Sequence, residues 1–256
     1  MTISIKNDNE IKLMRESGRR LAQVMVELEK AVHPGISTLI LDKLAEELVL
    51  RKGGIPAFKG YGKETGNPFP ATICASINDE VVHGIPSENV VLKEGDILKI
   101  DIGMKYQGFF SDMARSFGVG NIGEKEKRII ETVKNALSEG IKKIKNGGKL
   151  SEYSKAVQTY VEDNGYSVIR NLVGHGIGKK LHEDPQIPNY YNRRMGDLKL
   201  EVGMTLALEP MINEGGYETR LGDDGWVFKT KDGKLSAHWE DTILITEKGV
   251  EILTIL

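Results

Sequence analysis

The sequence contains little that would suit secretion, membrane insertion or binding to nucleic acid. Its 256 residues include a single cysteine, Cys74, which excludes an internal disulfide and suits a reducing compartment. No apolar run approaches the roughly 20 residues that span a bilayer, and residues 1–20 are too polar for a signal peptide. The formal net charge of −2 argues against a surface built for nucleic acid. We therefore expect a cytoplasmic protein with no membrane partner and no specific nucleic-acid partner.

The predicted elements occur twice in the same order. Apolar residues three and four positions apart predict two pairs of helices, at 8–33 and 37–52 and at 124–146 and 151–163. Hydrophobic strands follow each pair, at 72–78, 96–104 and 109–119 and then at 204–208 and 235–246. This order predicts an α+β fold in which each half contributes two helices and several strands.

Two short matches support a duplication of the chain. Residues 92–101 match residues 200–209 at a constant offset of 108, and an acidic residue ends a hydrophobic strand in both. His83-Gly84-Ile85 matches His175-Gly176-Ile177. We predict one catalytic domain, 1–256, made of two halves at about 8–120 and 121–256, with joined sheets and outer helices. Chance similarity of two strands that follow glycine turns is the alternative.

Five residues with metal-binding side chains lie in or next to predicted strands: Asp101, Asp112, His175, Glu209 and Glu240. Four carboxylates and one imidazole, if they converge, form a pocket too acidic to stay without cations. Two divalent cations bridged by carboxylates would remove the repulsion, and bridged metals suit the hydrolysis of an amide or an ester. Whether the five residues converge therefore decides the function.

The two aspartates lie on a predicted hairpin whose turn is at 105–108. If the hairpin is symmetric about the point between Tyr106 and Gln107, Asp101 and Asp112 are directly opposed, with Cβ atoms about 5 Å apart. Like charges in that position destabilise a hairpin unless a cation lies between them. A solvent-exposed pair is the alternative, but the apolar residues around the aspartates favour a buried metal site.

The other candidates leave more than one role open. Glu209 and Glu240 lie among apolar residues, where a carboxylate is paired, protonated or bound to metal, and each alone suits a salt bridge as well as a metal. Three glycines around His175 let the backbone approach another group closely. His182 follows seven residues later, a spacing unlike a helical HExxH site, so the two histidines need not bind the same ion.

Longer motifs closely resemble the signature of type I methionine aminopeptidases. They extend in family order from about residue 8 to the C-terminus and include Ser76-Ile77-Asn78, Val82-His83-Gly84-Ile85-Pro86, Gly174-His175-Gly176-Ile177-Gly178, His182-Glu183-Asp184-Pro185 and Ala207-Leu208-Glu209-Pro210. The resemblance implies the pita-bread fold, an α+β fold with two pseudo-symmetric halves, a central antiparallel sheet and outer helices. It also implies a dinuclear metal site between the halves.

Carried over position by position, the resemblance assigns each candidate ligand a place. Asp112 and Glu240 would bridge two divalent ions, Asp101 would complete one site, and His175 and Glu209 would complete the other. An oxygen-rich site with one imidazole would accept Co, Mn, Fe, Zn or Ni.

The resemblance further implies removal of the initiator methionine from nascent chains and peptides whose second residue is small. Glu209 would take the proton of a water held between the metals, and the resulting hydroxide would attack the first peptide bond. His182 would stabilise the oxyanion, and His83 would contact the scissile amide and assist departure of the amine. The expected partners are nascent polypeptide N-termini and the ribosome, and the expected state is a monomer.

A methionine pocket is expected in part from the Gly- and Pro-rich stretch at 58–70, which predicts a loop. The substrate-binding residues that the resemblance implies, besides His83 and His182, are Phe58, Tyr61, Phe69, Cys74, Leu181 and Trp226. The chain departs from the usual family residues at Gly103, Leu172, Leu181, His238, Trp239 and Asp241. These departures affect the shape of the pocket more than the metal ligands.

Two other functions fit a pita-bread chain. One is a metallopeptidase that cleaves before proline, although such relatives usually carry a large extra N-terminal domain. The other is a catalytically silent module that binds peptides, although such modules typically lose metal ligands, and all five are present here.

Overall fold

The computed structural model describes residues 3–193 and 197–256. Its four helices are α1 (Asp8–Ala31), α2 (Thr38–Arg51), α3 (Glu124–Ile141) and α4 (Leu150–Asp163). All four were predicted, but α3 ends earlier than residue 146. Lys143 N and Ile144 N bond to carbonyls only three residues back, so the chain tightens before the glycines at 147–148. No helix in the described ranges is long and apolar enough to cross a membrane.

Besides these helices and one 3₁₀ turn at Lys63–Thr65, the described residues form fifteen strands. They are β1 (Ile55–Pro56), β2 (Ile73–Ile77), β3 (Glu80–Val82), β4 (Ile97–Tyr106), β5 (Phe109–Gly118), β6 (Ser167–Val168), β7 (Gly174–Gly176), β8 (Glu183–Ile187), β9 (Thr205–Leu208), β10 (Met211–Asn213), β11 (Thr219–Leu221), β12 (Phe228–Thr230), β13 (Ser236–His238), β14 (Glu240–Thr246) and β15 (Gly249–Ile252).

Nine of these strands form one antiparallel sheet. Its order is β1-β4-β5-β14-β9-β7-β8, with β2 also paired to β4 and β15 to β14. Two three-stranded sheets, β13-β10-β6 and β11-β12-β3, lie beside it. The β4–β5 and β14–β15 hairpins meet in the middle of this sheet, where Glu240 of β14 pairs with Ala114 of β5.

The helices cover the central sheet in pairs. Buried residues of α1 and α2 pack with those of β2, β4 and β5 in one hydrophobic core, while α3 and α4 pack with β9, β10 and β14 in another. The strands β4 and β9, which carry the matching sequences, occupy equivalent places on either side of β5 and β14. This arrangement supports the division at about residue 120, which we keep as a proposal.

The predicted register of the aspartate hairpin is wrong by two residues. Gly103 pairs with Asp112, and Asp101 pairs with Ala114, so the two aspartates are diagonal neighbours on one face rather than directly opposed. The turn consists of Gln107 and Gly108, whose φ angles of 46° and 91° are typical of a tight two-residue hairpin. Glycine at the second turn position moves the centre of the hairpin one residue along the chain.

The predicted strand at 235–246 is two strands in the structure. β13 ends at His238 and pairs with β10, whereas β14 begins at Glu240 and pairs with β5 and β9 in the central sheet. Trp239 lies between them, and its N–H donates to the Pro210 carbonyl. The change of sheet occurs within a continuous apolar sequence, so periodicity alone cannot reveal it.

Candidate metal centre and substrate cavity

Five consecutive strands of the central sheet each bring one candidate ligand to the same region. In sheet order, β4 carries Asp101, β5 carries Asp112, β14 begins at Glu240, β9 is followed by Glu209, and β7 carries His175. The register places Asp101, Ala114 and Glu240 in one row across three strands. Residues that are far apart in the sequence therefore converge because their strands are adjacent in the sheet.

The side chains of three candidates lie especially close together. One ligand atom each from Asp112, His175 and Glu240 lies within 4.8 Å of the others. His175 Nε2 is also 4.0 Å from Asp112 Oδ2 and 3.6 Å from Glu209 Oε1. Two ligand atoms that each lie about 2.1 Å from one metal ion are about 3–3.5 Å from each other. These side chains would therefore need to move only slightly toward one another to bind an ion.

The carboxylates of this cluster resist ionisation. Burial raises the pKa of Asp101 to about 7. Burial first, and then repulsion from the other carboxylates, raises the pKa values of Asp112, Glu209 and Glu240 well above their ordinary range. Asp101 Oδ1, Asp112 Oδ1 and Glu240 Oε1 are buried without a hydrogen-bond partner among the described residues. Unpaired, mutually repelling oxygens fit divalent cations, which would supply the missing positive charge.

His175 is held so that one ring nitrogen faces the carboxylates. Its Nδ1 lies 2.8 Å from the Gly176 carbonyl, an arrangement that makes Nδ1 the donor and leaves Nε2 as the free lone pair. Burial lowers the pKa of His175 to about 3, so the ring is neutral. A Cβ at Gly174 would come within 2.5 Å of the Ala207 carbonyl oxygen, and one at Gly176 would overlap the Asp184 carbonyl. The flanking glycines therefore permit the close packing that positions His175.

A cavity of about 750 Å³ opens beside the cluster. The residues predicted to bind substrate all line it: Phe58, Tyr61, Phe69, Cys74, His83, Leu181, His182 and Trp226. The aromatic rings of Phe69 and Trp226 meet edge to face, with centroids 5.2 Å apart. The lining thus combines apolar rings with two histidines, and the five candidate ligands border the same space.

The two cavity histidines have different surroundings. The Tyr61 hydroxyl is 2.6 Å from His182 Nδ1, and burial lowers the pKa of His182. The ring of His83 packs edge to face against Trp226 and Phe228. Burial lowers the pKa of His83 to about 4, so its ring is also neutral.

The structure explains two of the departures from the usual family residues. A Cβ at Gly103 would come within 2.8 Å of Phe58 and 2.9 Å of Ala57, so a larger residue would require this wall of the cavity to move. Asp241 forms an ion pair with Arg115, with Nη2 and Oδ1 2.6 Å apart, and it accepts a bond from Thr254. Asp241 therefore supports the sheet next to Glu240.

Sequence reasoning missed several buried polar residues around the site. His238 is fully buried, and its Nε2 lies 3.8 Å from Glu209 Oε2. Lys6 is buried and pairs with Glu183 at 2.8 Å, beside His182. Lys99 is buried on β4, two residues before Asp101. The unusual residue at 238 was the only sequence signal for any of them.

A family model, curated sequences and solved structures all relate this chain to metallopeptidases. Residues 12–247 match the family described as Metallopeptidase family M24. The chain is 48% identical over 255 residues to the methionine aminopeptidase of Clostridium perfringens, covering 99% of both chains. The crystal structure of the methionine aminopeptidase from Thermotoga maritima superimposes with a TM-score of 0.95 at 43% identity, covering 100% of both chains.

A second kind of structure shares the fold. The prolidase from Pyrococcus furiosus superimposes with a TM-score of 0.76 at 24% identity, covering 98% of this chain but 65% of the prolidase. At this identity the likeness concerns the fold alone. Together with the Thermotoga structure it confirms the pita-bread fold predicted from the sequence.

Proposed function

The chain belongs to metallopeptidase family M24, among the methionine aminopeptidases, and we propose that it removes N-terminal methionine from peptides and nascent proteins whose second residue is small. The observation that carries this proposal is the convergence of five metal-binding residues, each on or directly after one of five consecutive strands, beside an aromatic cavity. A hydrolytic centre and a pocket for an apolar side chain therefore share one space.

Two divalent ions fit the ligand set. Asp112 and Glu240 would be shared by both ions, Asp101 would complete one site, and His175 with Glu209 would complete the other. Bound divalent cations supply a strong nucleophile at neutral pH by lowering the pKa of bound water. Carboxylate oxygens and one imidazole suit Mn, Fe, Co, Zn or Ni.

Three side chains take part in proton transfer, oxyanion stabilisation and contact with the scissile amide. Glu209 takes a proton from the attacking water and returns it to the departing amine. If the Tyr61 hydroxyl donates to His182 Nδ1, then Nε2 carries the hydrogen that stabilises the oxyanion of the attacked carbonyl. His83, a neutral ring between Trp226 and Phe228, contacts the scissile amide.

The cavity explains the choice of the first residue. A methionine side chain is unbranched and polarisable, so it suits a slot lined by Phe58, Phe69, Cys74 and Trp226. We place the substrate's α-amino group beside Asp101, whose Oδ1 has no partner in the part of the chain described. Only the first peptide bond then reaches Glu209, which limits the enzyme to one residue per cleavage.

The two alternatives lack comparable support. The prolidase is 24% identical to this chain, whereas the Thermotoga methionine aminopeptidase is 43% identical. A silent binding module would not need five converging ligands with unpaired buried oxygens. We further propose that the enzyme acts as a cytoplasmic monomer on chains leaving the ribosome.

A peptide panel tests the specificity. The protein loaded with Mn²⁺ is incubated with Met-Ala-Ser, Leu-Ala-Ser, Met-Leu-Ser and Ala-Pro-Ser, and released amino acids are measured. We expect release of methionine from Met-Ala-Ser only. Cleavage of Ala-Pro-Ser would indicate the proline-directed activity, and bound metal without cleavage of any peptide would indicate a silent module. A Glu209→Gln protein purified in parallel detects contaminating peptidase.

A further inference from the structure

His238 is a buried histidine beside the proposed centre for which the mechanism has no use. It ends β13 and pairs in register with Met211 of β10. Its backbone is fixed on both sides by Ser116, whose hydroxyl donates to the His238 carbonyl at 2.8 Å and accepts from its N–H at 3.0 Å. The position of the ring therefore follows from the backbone and does not depend on side-chain hydrogen bonds.

The ring of His238 has no hydrogen-bond partner within residues 3–193 and 197–256. Both Nδ1 and Nε2 are buried and unpaired, although a buried polar atom without a partner costs stability. An imidazole carries a hydrogen on at least one ring nitrogen, so the ring has an N–H to donate.

Glu209 lies close to the ring of His238. His238 Nε2 lies 3.8 Å from Glu209 Oε2, while the other oxygen, Oε1, lies 3.6 Å from His175 Nε2. The carboxylate thus lies between two imidazoles and is slightly too far from either for a hydrogen bond. A movement of about 1 Å would give the 2.7–2.9 Å separation of a strong N–H···O bond to a carboxylate.

We propose that His238 is a positioning residue, which donates an Nε2–H hydrogen bond to Glu209 Oε2 and thereby turns Oε1 toward His175. The inference rests on the proposed function, because it takes Glu209 and His175 as ligands of one metal. Outer partners that fix a ligating carboxylate typically change metal affinity by 10–100-fold when they are removed.

Three substitutions at position 238 separate positioning from simple packing. His238→Gln places an amide N–H about where Nε2 is, His238→Asn places one nearer Nδ1, and His238→Leu removes both nitrogens. Metal-stripped proteins are titrated with Mn²⁺ in a calorimeter. We expect the leucine and asparagine variants to bind the weaker of two Mn²⁺ equivalents about 10–100-fold less tightly, and the glutamine variant to stay within about threefold of wild type.

Thermal unfolding of the stripped proteins gives an independent readout. Leucine removes two buried unpaired nitrogens, so the stripped His238→Leu protein is expected to be at least as stable as wild type. A packing role predicts the reverse, lower stability together with weaker binding. Were the leucine variant to unfold, the contrast between glutamine and asparagine would still decide the question.

A double variant identifies Glu209 as the group that His238 acts on. In a Glu209→Gln background, His238→Leu is expected to cause no further loss of Mn²⁺ affinity, and an equal loss in both backgrounds would overturn the proposal. Equal affinity in all the position-238 variants would overturn it as well. If wild type bound Mn²⁺ without releasing methionine while His238→Leu still weakened binding, the proposed function would fail and the positioning role would stand.

Discussion

Replacing Lys99 with methionine should change how the stability of the protein depends on pH. Lys99 is 1% exposed on β4, and its ammonium nitrogen lies 2.8 Å from the Asn78 carbonyl and 3.2 Å from the Ser236 carbonyl. No carboxylate is hydrogen-bonded to it among the described residues; burial lowers the pKa of Lys99 from 10.5 to about 7 against the attraction of Glu80, Asp79 and Asp96.

The sign and size of the effect follow from that shift. Between about pH 7 and pH 10.5 the unfolded chain holds a proton on Lys99 that the folded protein lacks, so the free energy of unfolding rises with pH. At about 1.4 kcal/mol per pKa unit, the gain between about pH 6.5 and pH 9.5 is of the order of 3 kcal/mol. A neutral amine has two N–H groups, which match the two carbonyl acceptors.

Denaturant unfolding at several pH values measures this contribution. The difference in free energy of unfolding between wild type and Lys99→Met isolates Lys99 from the other groups that titrate. We expect the free energy of unfolding of wild type to increase relative to that of Lys99→Met as pH rises. A constant difference would show that Lys99 keeps its charge in the folded protein and would refute the reasoning. Lys43→Met, at an exposed position of α2, controls for loss of a surface lysine.

Three further predictions concern the metal centre. Glu209→Gln should lower methionine release by about 10²–10⁴-fold without destabilising the stripped protein, and near-normal activity would remove Glu209 as the proton acceptor. Arg115→Met should destabilise the protein by about 3–5 kcal/mol in thermal or denaturant unfolding, because it leaves the buried Asp241 carboxylate without an opposite charge; no loss would show that solvent replaces the guanidinium. Stripped wild type should become less stable relative to Asp101→Asn as pH rises from about 4 to 7, since the raised pKa of Asp101 makes its ionisation unfavourable in the folded protein. Reloading with Mn²⁺ should reverse this trend, and proton release on binding measures the same linkage.

The candidate ligands could be recognised because acidic residues stand out in apolar strands. Asp101, Asp112, Glu209 and Glu240 each follow or interrupt a hydrophobic run, and in the structure they border one cavity. The residues alone left open whether they converge, and the resemblance to a known family supplied that expectation. The four helices were also predictable, because α1 to α4 each carry a clear apolar face.

The register of the β4–β5 hairpin and the burial of polar side chains around the site could not be predicted in the same way. A shift of one residue in the turn at Gln107 and Gly108 moves the partner of every residue on the hairpin, and the apolar pattern tolerates both positions. Burial of Lys99 and His238 depends on backbone carbonyls and carboxylates from distant segments. Only the folded arrangement shows that these polar side chains lie inside.

Metal titration with simultaneous measurement of product tests the central claim most directly. Stripped protein is mixed with Met-Ala-Ser, Mn²⁺ is added in fractions of an equivalent, and bound metal and released methionine are measured at each step. If the five residues hold a two-metal centre, release is absent without metal and metal binding saturates at two equivalents per chain. Full release from stripped protein, or saturation of binding with no release, would contradict the account.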